Sequence, residues 1–234
     1  MKAFLLLLLC ALIAGAAPAN AQSNVQREYV IVSGGPSLMK WEKWKIQPHD
    51  LWWLNFIRAS RIRIQQLQAE GFDTAQITWF VYRPAYLSRG KQEGQDLIPT
   101  ITSVRDAYGV NLRFFDRPDE LIAYLNEGKP RDQVKIAGFE YFGHSNKACF
   151  LFDYSNVIDS GSKAWLHEDD LSKIRRGIFT RDAFAKSWGC HTAESMSQKF
   201  RAATGIKMWG AVGKSQYNTH ELPSLASPHG RWKY

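Results

Sequence analysis

Two side chains capable of covalent chemistry each follow an apolar, strand-like segment. His144 comes after Val134–Phe142, and Cys190 comes after Phe184–Trp188, 46 residues further along the chain. A thiolate is a strong nucleophile, and an imidazole can take up and release a proton near neutral pH. If the two strands are neighbours in a parallel sheet, they lie about 4.8 Å apart and their carboxyl ends share one cleft. The pattern therefore predicts a Cys/His dyad for nucleophilic catalysis.

Several neighbours of this dyad are expected to support it. A helix that begins near Thr192 would direct the positive end of its dipole at Cys190 and favour the thiolate. The backbone N–H groups of Ser145 and Cys190 are the expected oxyanion donors. Glu140 interrupts an apolar strand, so it either contacts substrate or a cation, or is a strand-face residue satisfied by an arginine or a backbone group. The expected supporting or pocket-lining residues are Gly34, Glu140, Gly143, Gly189 and Lys214.

The elements that must position these residues alternate between strands and helices. Such alternation predicts an α/β domain, a three-layer sandwich around a mainly parallel six-stranded sheet. The six predicted strands are Glu28–Ser33, Gln76–Tyr82, Val110–Phe115, Val134–Phe142, Phe184–Trp188 and Lys207–Val212.

The connections carry further expectations. Asp50 is predicted to cap the first helix, which Gly71 ends. The polar segment 83–99 is predicted to be a surface loop, followed by a short helix at 102–108. Pro118 opens a helix closed by Gly128. Three more elements complete the set: a hairpin strand over 149–154, a helix over about 169–174 and a helix over about 193–203. The tail 215–234 is predicted to be irregular.

The order of these features resembles the caspase-like cysteine peptidases, which include caspases, gingipains, legumains and separases. The similarity covers about residues 28–217 and is strongest over 134–213: a strand ending in His144, a hairpin, a strand ending in Cys190, a helix reaching Gly205 and a further strand. The resemblance implies a caspase-like topology and an endopeptidase that cleaves peptide bonds through an acyl-enzyme. Cys190 would be the nucleophile and His144 the general acid and base. No cofactor and no metal is implied, and the implied partner is a peptide or protein substrate.

Two positions depart from the family pattern. Ser145 follows the histidine where the family usually has glycine, which bears on the oxyanion geometry. His191 follows the cysteine, which is also atypical. A non-catalytic caspase-like module that binds a partner is therefore an alternative with the same fold.

Other chemistries remain open. Gly143, His144 and Ser145 begin a serine-esterase elbow, G-x-S-x-G, with His220 or His229 as base, but Lys147 stands where the second glycine belongs. A zinc site would need His144, His167, His191 and Cys190, which lack the usual ligand spacings. A Cys149–Cys190 disulfide would silence the nucleophile.

The N-terminus predicts export. Lys2, an apolar run at 3–17 and a small-x-small sequence at 19–21 form a signal peptide, with cleavage near Ala21. The run is too short for a membrane span, which needs roughly 20 residues. We therefore expect a secreted or periplasmic protein with one domain over 22–234 and no membrane span.

Composition constrains the partners. The 234 residues carry a formal net charge of +8, but the basic residues are scattered, so no nucleic-acid partner is expected. Most of the nine tryptophans are expected in the core and at its rim. Lys214 and Arg231 favour an acidic substrate side chain whereas Glu221 favours a basic one, so substrate preference stays open, as does the oligomeric state.

Overall fold

The computed structural model describes residues 25–46, 48, 50–159 and 161–234; the predicted signal peptide, 1–21, lies outside them. The strands in chain order are β1 (Gln26–Ser33), β2 (Ile77–Tyr82), β3 (Asn111–Phe115), β4 (Val134–Phe142), β5 (His144–Ser145), β6 (Cys149–Asp153), β7 (Ala164–His167), β8 (Phe179–Ser187), β9 (Met208–Val212), β10 (Ser215–Gln216), β11 (Ser224–Leu225) and β12 (Arg231–Lys233).

The α-helices are α1 (Met39–Glu42), α2 (Asn55–Ala69), α3 (Arg83–Glu93), α4 (Ile98–Tyr108), α5 (Pro118–Glu127) and α6 (Met196–Thr204). Three 3₁₀ helices span Thr74–Gln76, Glu168–Lys173 and Thr192–Glu194. Among the residues that the structure describes, no helix combines the length and apolar character needed to cross a bilayer.

The central sheet has the order β12-β9-β8-β4-β1-β2-β3. Six strands are parallel, and β12 pairs antiparallel with β9 at the edge. The prediction of an α/β fold with a mainly parallel sheet flanked by helices is confirmed. The count of six strands is wrong, because the tail that was expected to be irregular returns to the sheet and pairs Trp232 with Ala211.

Each face of the sheet is covered by its own apolar layer. Along β1, Tyr29 and Ile31 face α2 and α4, whereas Val30 and Val32 face α5 and α6. This alternation follows from the two-residue repeat of a strand, and burial of both faces explains why β2 and the centre of β1, residues 29–32, are almost wholly apolar. The fold is therefore a three-layer arrangement with the sheet in the middle.

A second, three-stranded sheet of β5, β6 and β7 lies on the α5 and α6 face. Phe150 and Phe152 of β6 are fully buried in that layer. The predicted hairpin strand at 149–154 is confirmed, and its first partner is β5, the two residues that contain His144. The hairpin therefore holds His144 directly at the end of β4.

Several local predictions are wrong. The segment 83–99 is not a surface loop: Pro84 opens α3, on which Tyr86 and Arg89 are fully buried. Burial of these two side chains stabilises a helix that polar composition alone does not indicate. The helix expected over 169–174 is a 3₁₀ helix at Glu168–Lys173.

Candidate active site

The site lies where the order of the parallel strands reverses. β1 is flanked by β2 on one side and by β4 on the other, so the connections leave the sheet in opposite directions from that point. Crevices at the carboxyl ends of such strands are the usual ligand sites of open α/β sheets. Ser33 of β1 pairs with Phe142 of β4, and Tyr141 of β4 pairs with Ser187 of β8. The segments carrying His144 and Cys190 therefore leave neighbouring strands at one edge.

His144 is oriented by a carboxylate from a distant part of the chain. Its Nε2 lies 2.9 Å from Oδ2 of Asp50, which is 94 residues away. The imidazole is mostly buried between the rings of Phe56 and Tyr154, whose centroids lie 5.0 and 4.8 Å from its own. Because a carboxylate only accepts hydrogen bonds, Nε2 carries the proton in this pair and Nδ1 is the nitrogen that can accept one.

Asp50 is itself held rigidly. It is buried, and its Oδ2 accepts hydrogen bonds from the backbone N–H of Ser37 at 2.7 Å and from its hydroxyl at 3.3 Å. Oδ1 accepts from Asn55 Nδ2 at 3.3 Å. The prediction that Asp50 caps the first helix is wrong, since α2 begins at Asn55 with Leu54 as its N-cap. The carboxylate serves the imidazole instead.

Helix α3 anchors the loop that ends in Asp50. The Arg89 side chain is fully buried, and its Nη1 donates to the carbonyl oxygens of Ser37 at 2.6 Å and of Asp50 at 3.1 Å. Nη2 donates to the carbonyl of Leu51, and Nε pairs with Glu93. One guanidinium thus ties three carbonyls of the 37–51 segment to the helix.

Cys190 contacts Ser215, the first residue of β10. The Ser215 backbone N–H donates to Cys190 Sγ at 3.4 Å, and the Ser215 hydroxyl donates to the Trp188 carbonyl at 2.7 Å. The single S–H proton of Cys190 can therefore point to the Ser215 carbonyl oxygen or to its hydroxyl oxygen, each of which lies 3.7 Å from the sulfur. The Ser215 N–H is thus the backbone donor directed at the sulfur.

A hydrogen bond joins the two segments that carry His144 and Cys190. Ser145 Oγ donates to the Cys190 carbonyl at 2.7 Å. A side chain at Gly189 would collide with that serine hydroxyl and would lie 2.9 Å from the Gly143 carbonyl, so only glycine permits this approach. Ser145 thus bridges the two strand ends, and the close approach depends on Gly189.

The two predicted oxyanion donors can be located. In the hairpin, Asn146 N–H donates to the Cys149 carbonyl at 3.1 Å, so the next pair, Ser145 and Phe150, is a non-hydrogen-bonded one. The Ser145 N–H therefore points away from β6. Within the described part of the chain, no protein acceptor is recorded for the Cys190 N–H. Both amides are compatible with binding an anion.

The turn after Cys190 is strained and pinned. His191 has φ of 62°, the left-handed region, unlike any other non-glycine residue that the structure describes. Its N–H donates to the Gly213 carbonyl at 2.8 Å, and Glu194 accepts from both His191 Nδ1 at 2.7 Å and Gly213 N–H at 3.0 Å. The Gly213 N–H, foremost, lowers the pKa of Glu194. Strained backbone of this kind concentrates at functional sites.

The helix predicted over about 193–203 is present as α6, but its N-terminus does not lie directly after Cys190. Thr192–Glu194 is a single 3₁₀ turn, and α6 begins only at Met196, whose N–H donates to the Lys147 carbonyl at 2.8 Å. Ser195, with φ of −153° and ψ of −55°, separates the two. The Ser215 N–H takes the place of the expected dipole beside the sulfur.

Buried tyrosine hydroxyls fix the surrounding loops. Tyr141 donates to the His144 carbonyl at 2.7 Å, and Tyr217 accepts the Gly143 N–H at 2.8 Å. Tyr86 donates to the Gly34 carbonyl at 2.8 Å. Burial raises the pKa of all three phenols, so they stay neutral. Gly34 and Gly143 thus belong to the support of the site.

Glu140 is buried in a polar cluster beneath the site. It accepts from Arg63 Nε at 2.5 Å and from Trp188 Nε1 at 2.6 Å, and Tyr29 also donates to it. The expectation of a neighbouring arginine is confirmed. Because Trp188 lies two residues before Cys190, Glu140 positions the end of β8 from below.

The geometry supports neither the Cys149–Cys190 disulfide nor the zinc site. Both Cys149 and Cys190 are free thiols. In the described part of the chain, no three His, Cys, Asp or Glu side chains form a metal-binding group.

An open cavity of about 530 Å³ lies beside the turn that follows Cys190. It is lined by Asn146, Lys147, Ala148, Cys149, His167, His191 and Glu194.

Sequence reasoning missed Asp50 as the partner of His144, Ser215 as the contact of Cys190, and Tyr217. No local sequence pattern indicates these three residues, because the course of the connecting loops in the folded protein brings each of them to the site. Lys214 is exposed and adjoins Ser215.

Comparisons with protein-family models, with curated proteins and with solved structures find no match for this chain.

Proposed function

We propose that the protein is a caspase-like cysteine endopeptidase, exported from the cytoplasm, that hydrolyses peptide bonds with Cys190, His144 and Asp50. The observation that carries the proposal is the hydrogen bond between His144 Nε2 and Asp50 Oδ2. A base held by a buried acid, beside a thiol at the next strand end, is the arrangement that nucleophilic catalysis requires.

The chemistry follows from these positions. Cys190 transfers its proton to His144 Nδ1, and the sulfur bonds to the substrate carbonyl carbon. The negative charge that develops on the carbonyl oxygen is held by the N–H groups of Ser145 and Cys190. When the C–N bond breaks, His144 gives the proton to the leaving amine. Water, deprotonated by His144, then hydrolyses the thioester and restores the thiol. Asp50 keeps its charge and stabilises the imidazolium throughout.

A serine hydrolase is disfavoured by the position of Ser145. Its hydroxyl donates to the Cys190 carbonyl, and it lies in a hairpin rather than in a turn between a strand and a helix. A nucleophilic elbow needs that turn. Ser145 is better suited to holding the cysteine strand end in place.

The test compares wild type with Cys190→Ala and His144→Ala on a peptide library. We expect each substitution to lower kcat/KM by about 10³-fold or more, because both groups act in bond formation and proton transfer. Iodoacetamide followed by peptide mapping should label Cys190 and should do so more slowly in His144→Ala.

Matched controls are Cys149→Ala, the other thiol of the domain, and His220→Ala, an exposed histidine; both should retain activity. Equal turnover in wild type, Cys190→Ala and His144→Ala would contradict the proposal. Cleavage of no library peptide by wild type, together with an unreactive Cys190, would instead favour the non-catalytic module with the same fold.

A further inference from the structure

Large apolar side chains are exposed on two loops, one that precedes Asp50 in the chain and one that follows Tyr154. Trp44 and Ile46 are 83% and 101% exposed, and Val157 and Ile158 are 65% and 86% exposed. We call these four residues the apolar rim. Isolated exposed apolar residues are ordinary, but a group of large ones marks an interaction surface.

The two loops form one surface. Trp41 Nε1 donates to the Asn156 carbonyl at 2.7 Å, and the rings of Trp41 and Trp44 meet edge to face with centroids 6.2 Å apart. Lys40 donates to the Val157 carbonyl, and its ammonium lies 4.4 Å from the Trp41 ring centre. These contacts bring the 40–44 and 156–158 segments side by side.

The charge around the apolar rim is basic. Lys43 is exposed, and Lys40 lies between the loops. Glu42, an acid of the same segment, is fully buried and accepts from the Ser37 hydroxyl at 2.6 Å. Asp159 accepts the Gly161 N–H of its own loop at 2.7 Å. The rim therefore presents apolar tips next to Lys40 and Lys43, with Glu42 turned inward and Asp159 as its one exposed acid among the residues named here.

We propose that the apolar rim docks on an anionic lipid bilayer. Its side chains project outward instead of lining a groove, which suits insertion into a fluid interface. Trp is enriched at the headgroup level of membranes, and apolar side chains bordered by lysine are typical of surfaces that bind anionic lipids. The inference is independent of the proposed peptidase activity, since it rests on these two loops alone.

Docking would orient the cleft relative to the bilayer. The first loop runs into Asp50 and the second begins at Tyr154, and these two residues flank His144. A bilayer held by the rim would therefore lie next to the cleft, so that polypeptides at a membrane surface reach it first.

The test measures co-sedimentation with vesicles of phosphatidylcholine containing phosphatidylglycerol, and with vesicles of phosphatidylcholine alone. The protein is recovered from the periplasm of an expression host, and intact mass establishes that the N-terminal apolar segment has been removed. The variants are Trp44→Ser/Ile158→Ser and Lys43→Gln. The matched control is Phe184→Ser, an exposed aromatic on β8. Circular dichroism melting verifies that each variant is folded.

We expect wild type and Phe184→Ser to bind the anionic vesicles. The affinity of the double variant should fall by at least about tenfold, and Lys43→Gln should weaken binding at low salt. Brominated lipid chains should quench wild-type tryptophan fluorescence more than that of the double variant. Absence of vesicle binding by wild type, or equal binding by the folded double variant, would overturn the proposal. So would a wild-type dimer that the double variant converts to monomer without any vesicle binding, which would assign the rim to a second copy.

Discussion

Asp50 selects the imidazole nitrogen that can act as a base. Its carboxylate accepts from Nε2 of His144, so the lone pair resides on Nδ1. The Phe56 and Tyr154 rings on either side hold the imidazole plane. At the scale of single residues, the site thus depends on one hydrogen bond between residues that lie 94 positions apart in the chain.

Replacement of Asp50 by asparagine should lower kcat/KM for a peptide substrate by roughly 100-fold, with the loss mainly in kcat, because an amide can impose the other tautomer and cannot stabilise the imidazolium. Steady-state kinetics measure the effect. Asp182→Asn, which removes an exposed ion pair with Arg27, is the control and should leave both constants unchanged. Wild-type kcat in Asp50→Asn would show that His144 does not need the carboxylate.

At the scale of secondary-structure elements, α3 fixes the loop that carries Asp50. Arg89 satisfies three backbone carbonyls from within the protein. A buried guanidinium of this kind is costly to leave without partners, and its partners are equally costly to leave without a donor.

Replacement of Arg89 by methionine should lower the free energy of unfolding by about 3 kcal/mol, because three carbonyls, two of them on buried residues, lose their donor. Urea denaturation measures this. In the protein that remains folded, activity should fall as well, since the loop is no longer tied to α3. Lys91→Met on the exposed side of the same helix should change neither quantity, and an equal loss in both variants would refute the anchoring role.

At the scale of the whole molecule, an ionised glutamate joins the sheet to its α5 face. Glu28 of β1 is fully buried and accepts from Thr78 Oγ at 2.6 Å, Tyr124 OH at 2.7 Å and Arg131 Nη1 at 2.6 Å. Burial alone would raise the pKa of Glu28, but the hydrogen bonds and the Arg131 charge outweigh it and lower that pKa. The carboxylate therefore stabilises the fold only while it is ionised.

A lowered pKa in the folded state means that the stabilisation is complete above the unfolded pKa, about 4.3, and is lost as the pH falls through the folded value. The free energy of unfolding of wild type should therefore decrease below about pH 4. Glu28→Gln should be less stable at pH 7 and should show a flatter pH dependence below pH 4. Urea denaturation at a series of pH values measures both. Glu127→Gln, at an exposed position, should follow wild type, and parallel curves for all three proteins would contradict the assignment.

The sequence determined the elements whose signals are local. The alternation of apolar segments with helical repeats predicts the α/β class. β4 spans the predicted residues, because a segment rich in β-branched and aromatic residues and bounded by turns favours a buried strand. His144 and Cys190 could be placed at strand ends for the same reason. Segment 83–99 was misjudged because a helix held by a few buried side chains can be polar in composition.

Only the tertiary structure decided which distant residues meet. Asp50 contacts His144, Ser215 contacts Cys190 and β12 pairs with β9. These contacts depend on the course of the loops and on the order of the strands, and a short window of neighbouring residues determines neither of these. The helical start expected directly after Cys190 is replaced by a 3₁₀ turn because contacts from Gly213 and Lys147 outweigh local helix propensity. Local periodicity thus defined the strands and the reactive residues at their ends, whereas long-range packing defined their partners.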